Sequence, residues 1–106
     1  MNKPIPDKAE VALEYPDKLY VGTFQRSARF EAHLEPAGIA LTLERSGDAG
    51  ERKSVHIHLH DGLFAAILQD LAASARRLGP DDLPHRADLA AAAAALHAAL
   101  KAPAAR

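Results

Sequence analysis

The chain contains no cysteine and no tryptophan, and aromatic residues make up only 5% of its 106 residues. The absence of cysteine excludes disulfide bonds, thiolate metal sites and cysteine nucleophiles. No charge sign dominates either, because 13 lysines and arginines face 14 aspartates and glutamates, which gives a formal net charge of -1. Binding of a polyanion would therefore need a local basic patch, since the whole chain supplies no attractive field.

Long apolar segments and familiar catalytic motifs are also missing. The first residues, MNKPIPDKAE, lack the apolar run of a secretory signal, and the longest apolar run, LAAAAAAL at 89–96, is too short to span a bilayer. The chain has no Gly-x-Ser-x-Gly, phosphate loop, dinucleotide fingerprint or His-Glu-x-x-His. We therefore expect a cytoplasmic protein without a membrane partner, and the bias toward alanine and arginine is typical of a bacterial one.

The length suits one domain with a single modest core. Residues 1–16 contain prolines and alternating charges, which predicts a flexible tail or, around Val11 and Leu13, a short edge strand. We place residues 1–9 outside the core. The folded domain is predicted to span 17–102, followed by a tail at 103–106.

Four segments of strand composition follow the tail, separated by spacers of turn length. They are LYVGTF at 19–24, ARFEAHLE at 28–35, IALTLER at 39–45 and SVHIHLH at 54–60. Consecutive strands with such short connections favour an antiparallel meander.

After the fourth strand the apolar period changes from two residues to three or four. This period predicts an amphipathic helix over 62–78, with Asp61 as its N-cap and Gly79-Pro80 at its end, and a second helix over about 84–101. The predicted fold class is therefore α+β, an antiparallel four-stranded sheet (β-β-β-β-α-α) with two C-terminal helices on one face.

Turns at 35–38 and 46–52 fix one register for the last three strands. Their apolar side chains then share one face, against which the first helix is predicted to pack. The opposite face is polar and open. Its rows would be His33, Ala40 and His58, then Glu31, Thr42 and His56, then Arg29, Glu44 and Ser54.

Histidines at alternating positions lie on this polar face. The first interpretation is that they are the solvated side of a strand, because a half-buried strand requires polar residues on its solvent side. A zinc site is another. Residues i and i+2 lie about 6.6 Å apart, so that His56 and His58 could share one ion, whereas His60 could not join both. Candidates for the remaining ligands are His33, Glu31 and Asp61. We predict no metal and no cofactor, and keep His56 and His58 as the zinc alternative.

The segment SVHIHLH also resembles the His-x-His-x-His signature of the histidine triad family of nucleotide hydrolases and transferases. The resemblance covers about seven residues, and Asp61-Gly62 follow where that family has two hydrophobic residues. It implies that His58 is a nucleophile that forms a nucleotidyl intermediate, with His56 and His60 contacting phosphate and orienting the ring. This is the enzymatic alternative to a non-enzymatic protein.

The four-strand-plus-helix layout, with GERKSVHIHLHDGLFAAILQDL at its last junction, resembles the transcriptional coactivator family that binds single-stranded DNA on its sheet. The resemblance covers about residues 19–78 and implies a homodimer. It also implies that Tyr20 and Phe24 stack on bases, although both, like Phe30, also suit a core. The basic residues that would contact phosphates are Lys18, Arg26, Arg29, Arg45, Arg52 and Lys53.

The second predicted helix offers an interaction surface, because Leu89, Leu96 and Leu100 could seal the core or form a homodimer seam. The function that the sequence predicts first is non-enzymatic binding of single-stranded nucleic acid by the open sheet face. A histidine-triad-like phosphohydrolase and a zinc-binding or protein-interaction module are the alternatives. The predicted ligand-binding residues are His33, Thr42, His56, His58, Arg29, Arg52 and Lys53.

Overall fold

The computed structural model describes residues 2–47, 50, 52–79 and 81–102. In these residues six strands precede two helices, so the chain is an α+β protein, as the sequence predicts. The elements are β1 (Lys3–Pro4), β2 (Ala9–Glu14), β3 (Leu19–Phe24), β4 (Arg29–Glu35), β5 (Gly38–Ser46), β6 (Arg52–His60), α1 (Asp61–Arg77) and α2 (Arg86–Lys101). Neither of the helices so described combines the length and the apolar character that crossing a membrane requires.

A four-stranded antiparallel sheet has the order β1-β4-β5-β6. The predicted register of its three long strands is confirmed. His33 lies opposite Ala40, which lies opposite His58, and Thr42 lies opposite His56. In these three strands the large apolar side chains therefore share one face, and the polar side chains other than Arg45 and Lys53 share the other.

The turn between β4 and β5 explains why this register is so well defined. Only two residues, 36 and 37, separate Glu35 from its partner Gly38. A side chain at Gly38 would collide with the Leu59 carbonyl oxygen of β6, and its Cβ would lie 2.9 Å from the His60 Cα. Glycine is therefore required where β6 passes close to the start of β5.

The prediction that residues 19–24 form the first strand of the four-stranded sheet is wrong. They form β3, which pairs with β2 in a separate two-stranded antiparallel sheet. The short strand β1 takes the edge position instead, with Lys3 opposite Phe30. The physical reason is a local turn, in which the Tyr15 and Lys18 backbones exchange N–H···O bonds of 2.7 and 3.3 Å around Pro16 and Asp17. Closing so short a loop costs little entropy.

The core lies where this β2–β3 hairpin meets the sheet. Its buried residues are Ile5, Phe24 and Ala28, and Phe30, Leu43 and Val55 are among those that pack against them. The hairpin thus lies over one end of the sheet's apolar face. Our placement of residues 1–9 outside the core is wrong for Ile5, whose N–H donates to the Ala28 carbonyl at 3.1 Å and whose side chain is only 5% exposed.

The two predicted helices are present with slightly different bounds. Asp61 is the first residue of α1 rather than a residue before it, and its carboxylate lies in the first turn, where the helix dipole favours negative charge. The α1–α2 connection is tied by Arg86, whose guanidinium donates to the Leu78 and Gly79 carbonyls at 3.2 and 3.0 Å. That both helices lie on the sheet's apolar face stays a prediction. The predicted helix end at Pro80, the tail at 103–106 and most of the loop at 47–51 lie outside the described residues.

Replacing Gly38 with alanine should destabilise the protein by about 1–3 kcal/mol, because the added methyl group overpacks the contact with β6. The measurement is the urea midpoint of unfolding. Gly22→Ala is the matched control, since a Cβ at that strand position would lie 3.6 Å from the Phe24 ring, an ordinary contact. Equal midpoints for the two variants would contradict this account of the register.

Candidate functional site

The polar face of the four-stranded sheet brings together four of the predicted ligand-binding residues. His33, Thr42, His56 and His58 occupy adjacent rows of β4, β5 and β6. Because Ala40 stands between His33 and His58 in their row, no large side chain separates the two imidazoles. Both histidines are about half exposed. This part of the face is therefore open to a ligand.

A single carboxylate links these two histidines. The Glu35 Oε2 atom lies 3.2 Å from the His33 Nε2, and the Glu35 Oε1 atom lies 3.1 Å from the His58 Nε2. Glu31 also approaches the His33 ring, with its Oε2 3.9 Å from the His33 Nδ1. Glu35 was not among the predicted site residues, although strand alternation places it on the same face as His33. We call these four residues, Glu31, His33, Glu35 and His58, the acid–histidine cluster.

The remaining two histidines of β6 have other partners. The Thr42 hydroxyl lies 3.4 Å from the His56 Nδ1, and the His60 ring stands edge-on to the His58 ring with a centroid distance of 5.0 Å. Among the described side chains, no group of three or more histidines, aspartates or glutamates is arranged to hold a metal ion. The zinc alternative on His56 and His58 and the catalytic alternative on His58 stay predictions.

Arginines occupy the other end of the polar face. Arg29 and Arg52 lie in its last rows, and the Arg29 guanidinium donates to the Asn2 carbonyl at 2.8 Å. The Asn2 side chain in turn donates to the Glu44 carboxylate at 3.0 Å, so Asn2 bridges two residues that lie opposite each other in the register. No pattern in the sequence indicates a role for Asn2, because its partners are 27 and 42 residues away.

Lys53 does not lie on the polar face, although it was predicted as one of the ligand-binding residues. It pairs with Arg45 across β5 and β6, and both residues alternate with the polar rows, so they lie on the apolar side of the sheet. The Arg45 guanidinium is 5.7 Å from the centre of the Phe24 ring. Of the predicted basic residues, Arg29 and Arg52 therefore belong to the polar face, whereas Arg45 and Lys53 lie across the sheet from them.

The two predicted stacking residues also differ from each other. Phe24 is only 3% exposed and belongs to the core, so it has no surface to offer a base. Tyr20 is 52% exposed, and its ring stands edge-on to Tyr15 with a centroid distance of 6.0 Å. The core interpretation is confirmed for Phe24 and wrong for Tyr20.

A scan against protein-family models, a search of curated proteins and a search of solved structures each returned no match. Function therefore has to be argued from the residues of this chain.

Replacing Glu35 with glutamine should change the imidazole NMR signals of both His33 and His58 and leave that of His56 unchanged, because only the first two rings contact this carboxylate. The Glu35, His33 and His58 side chains are all exposed to water, so the loss of stability should stay below about 1 kcal/mol. Glu44→Gln is the control, as Glu44 contacts Asn2 and neither histidine. An unchanged His58 signal in Glu35→Gln would show that the cluster does not form in solution.

Proposed function

We propose that this protein is a non-enzymatic binding domain that takes single-stranded nucleic acid on the polar face of its four-stranded sheet. The observation that carries the proposal is the arginine end of that face. Within the described part of the chain, neither Arg29 nor Arg52 has a carboxylate in ion-pair contact. Both guanidinium groups therefore keep their charge available for phosphates.

The rest of the face suits the non-phosphate parts of a strand. The acid–histidine cluster carries two carboxylates, which would repel a phosphate placed beside them. Imidazole and hydroxyl groups at His56, His58 and Thr42 can instead exchange hydrogen bonds with base edges. His58 comes six positions after Arg52, which is about 20 Å along β6 and leaves room for several nucleotides. We expect phosphates at the arginine end and bases toward the histidines.

The exposed tyrosines would contribute to the affinity for a nucleic acid strand whatever its base sequence. Tyr15 and Tyr20 present about half of their surfaces to solvent near the turn of the β2–β3 hairpin. Stacking of a base on an aromatic ring contributes roughly 1–3 kcal/mol whichever base it is. A strand that reached this hairpin would gain affinity without gaining sequence specificity.

A second copy of the chain is the partner that the coactivator resemblance implies, and we include a homodimer in the proposal. Leu19 and Val21 share one face of β3 and are 60% and 73% exposed. Apolar side chains that are exposed together favour a protein interface. The β2–β3 hairpin is therefore a surface on which a protein partner fits.

The binding of a fluorescent oligo-dT should weaken as salt rises. If Arg29 and Arg52 each neutralise one phosphate, the logarithm of the binding constant should fall with a slope of about -1.4 against the logarithm of salt. Fluorescence anisotropy at several salt concentrations measures this slope. Arg52→Gln should reduce its magnitude by about 0.7, because one counterion fewer is released.

Arg77→Gln is the matched control for that measurement. Arg77 lies in the last turn of α1 and carries the same charge without belonging to the sheet. A slope near zero in the unmodified protein would overturn binding on the arginine end of the polar face. The same holds if Arg52→Gln and Arg77→Gln reduce the magnitude of the slope equally.

A further inference from the structure

Two adjoining cavities lie at the end of the sheet where the chain passes from β3 to β4. The first has a volume of about 240 Å³ and is lined by Thr23, Gln25, Ser27 and Arg45. The second has a volume of about 170 Å³ and is lined by Ser27, Arg29, Glu44, Arg45, Ser46 and Arg52. Ser27 and Arg45 line both cavities and so mark the point where they meet.

The lining of these cavities indicates the kind of ligand that fits. Every side chain around the first cavity is polar, with hydroxyl, amide and guanidinium donors. Sites for drug-sized molecules are mostly apolar and measure about 300–1,000 Å³, so this cavity is both smaller and more polar than such a site. A small hydrogen-bond acceptor fits it better than a nucleobase does.

Arg45 shows that the ligand should be an anion. Its Nε atom is buried and has no hydrogen-bond partner, and among the described residues no carboxylate forms an ion pair with its guanidinium. The nearby Phe24 ring offers no oxygen or nitrogen acceptor to the buried Nε–H group. A buried charged donor without a protein partner is costly, and the polar cavity beside it is where an acceptor would fit.

The neighbouring charges favour the same conclusion. Among the residues that the structure describes, three arginines and one carboxylate, that of Glu44, line the two cavities together. The Glu44 carboxylate already accepts a hydrogen bond of 3.0 Å from Asn2. The planar fork of a guanidinium matches two oxygens of a tetrahedral oxyanion, and a serine or threonine hydroxyl can donate to a third.

We infer that these cavities form a binding site for one phosphate group, with Arg45 as its central donor and Ser27 beside it. The group is either the terminal phosphate of a nucleic acid strand or free inorganic phosphate. The site goes beyond binding on the polar face, because Arg45 lies on the other side of the sheet and would take a phosphate whatever carries it.

The first test follows the arginine Nε–Hε signals of the full chain by NMR during titration with inorganic phosphate at constant ionic strength. The Arg45 signal should move along a saturable curve. Arg45→Gln should weaken phosphate binding by about tenfold or more, since it removes a charge-assisted donor. Arg77→Gln removes an equal charge that lies in α1 and lines neither cavity, and it should leave binding unchanged.

Ser27→Ala is the second variant, because loss of Arg45 from its place on Phe24 could disturb folding. It should weaken phosphate binding several-fold while the backbone spectrum stays that of the unmodified protein. A linear, unsaturable response, or equal binding by Arg45→Gln and Arg77→Gln, would overturn the site.

The second test separates the two sources of phosphate. Oligo-dT with a 5′-phosphate is compared with the same oligonucleotide without it. Tighter binding of the phosphorylated strand that disappears in Arg45→Gln would assign the site to a strand terminus. Equal binding of the two strands, with saturable binding of inorganic phosphate at Arg45, would assign it to the free anion. If neither ligand moves the Arg45 signal, the site is overturned even where unphosphorylated oligo-dT binds the polar face.

Discussion

The close approach of β5 and β6 at Gly38 is the constraint on which the rest of the site depends. A side chain at this position would collide with the Leu59 carbonyl oxygen, so glycine lets the two strands meet in one register. The two-residue turn that precedes Gly38 sets β4 against β5 at the same place. A slip of one residue would move His56 and His58 to the apolar side. The composition of the polar face therefore follows from backbone contacts at one end of the sheet.

Alternation and turn chemistry were sufficient to predict this register, because β4, β5 and β6 are consecutive and their apolar residues recur at every second position. They were not sufficient for β3, whose alternation suits either neighbour and whose partner is decided by the turn at Pro16 and Asp17. Ile5 gave no signal either, since one apolar residue between two prolines has no period, and its burial depends on the core cluster that it forms with Phe24 and Ala28. The helices could be predicted because their apolar period persists for many residues.

The candidate site was predictable as a face but not as a set of contacts. Alternation places His33 and His58 together, yet it does not show that Glu35 links them. Arg45 is a clearer case, because its burial beside Phe24 depends on the hairpin lying over the sheet, a contact between residues distant in sequence. The two ends of the polar face therefore differ in chemistry. Guanidinium groups lie at one end, and carboxylates contact imidazoles at the other. A bound strand would thus have a preferred placement, with its phosphates toward the arginines.

The most direct test of the central claim, that the polar face is the binding surface, is an NMR titration of the six histidine side chains with a short unphosphorylated oligo-dT. His85 and His97 serve as internal controls, since the first precedes α2 and the second lies within it. Our account predicts saturable shifts at His33, His56 and His58 and none at His85 or His97. Shifts confined to the two control histidines, or none at any histidine while the oligonucleotide binds, would contradict it.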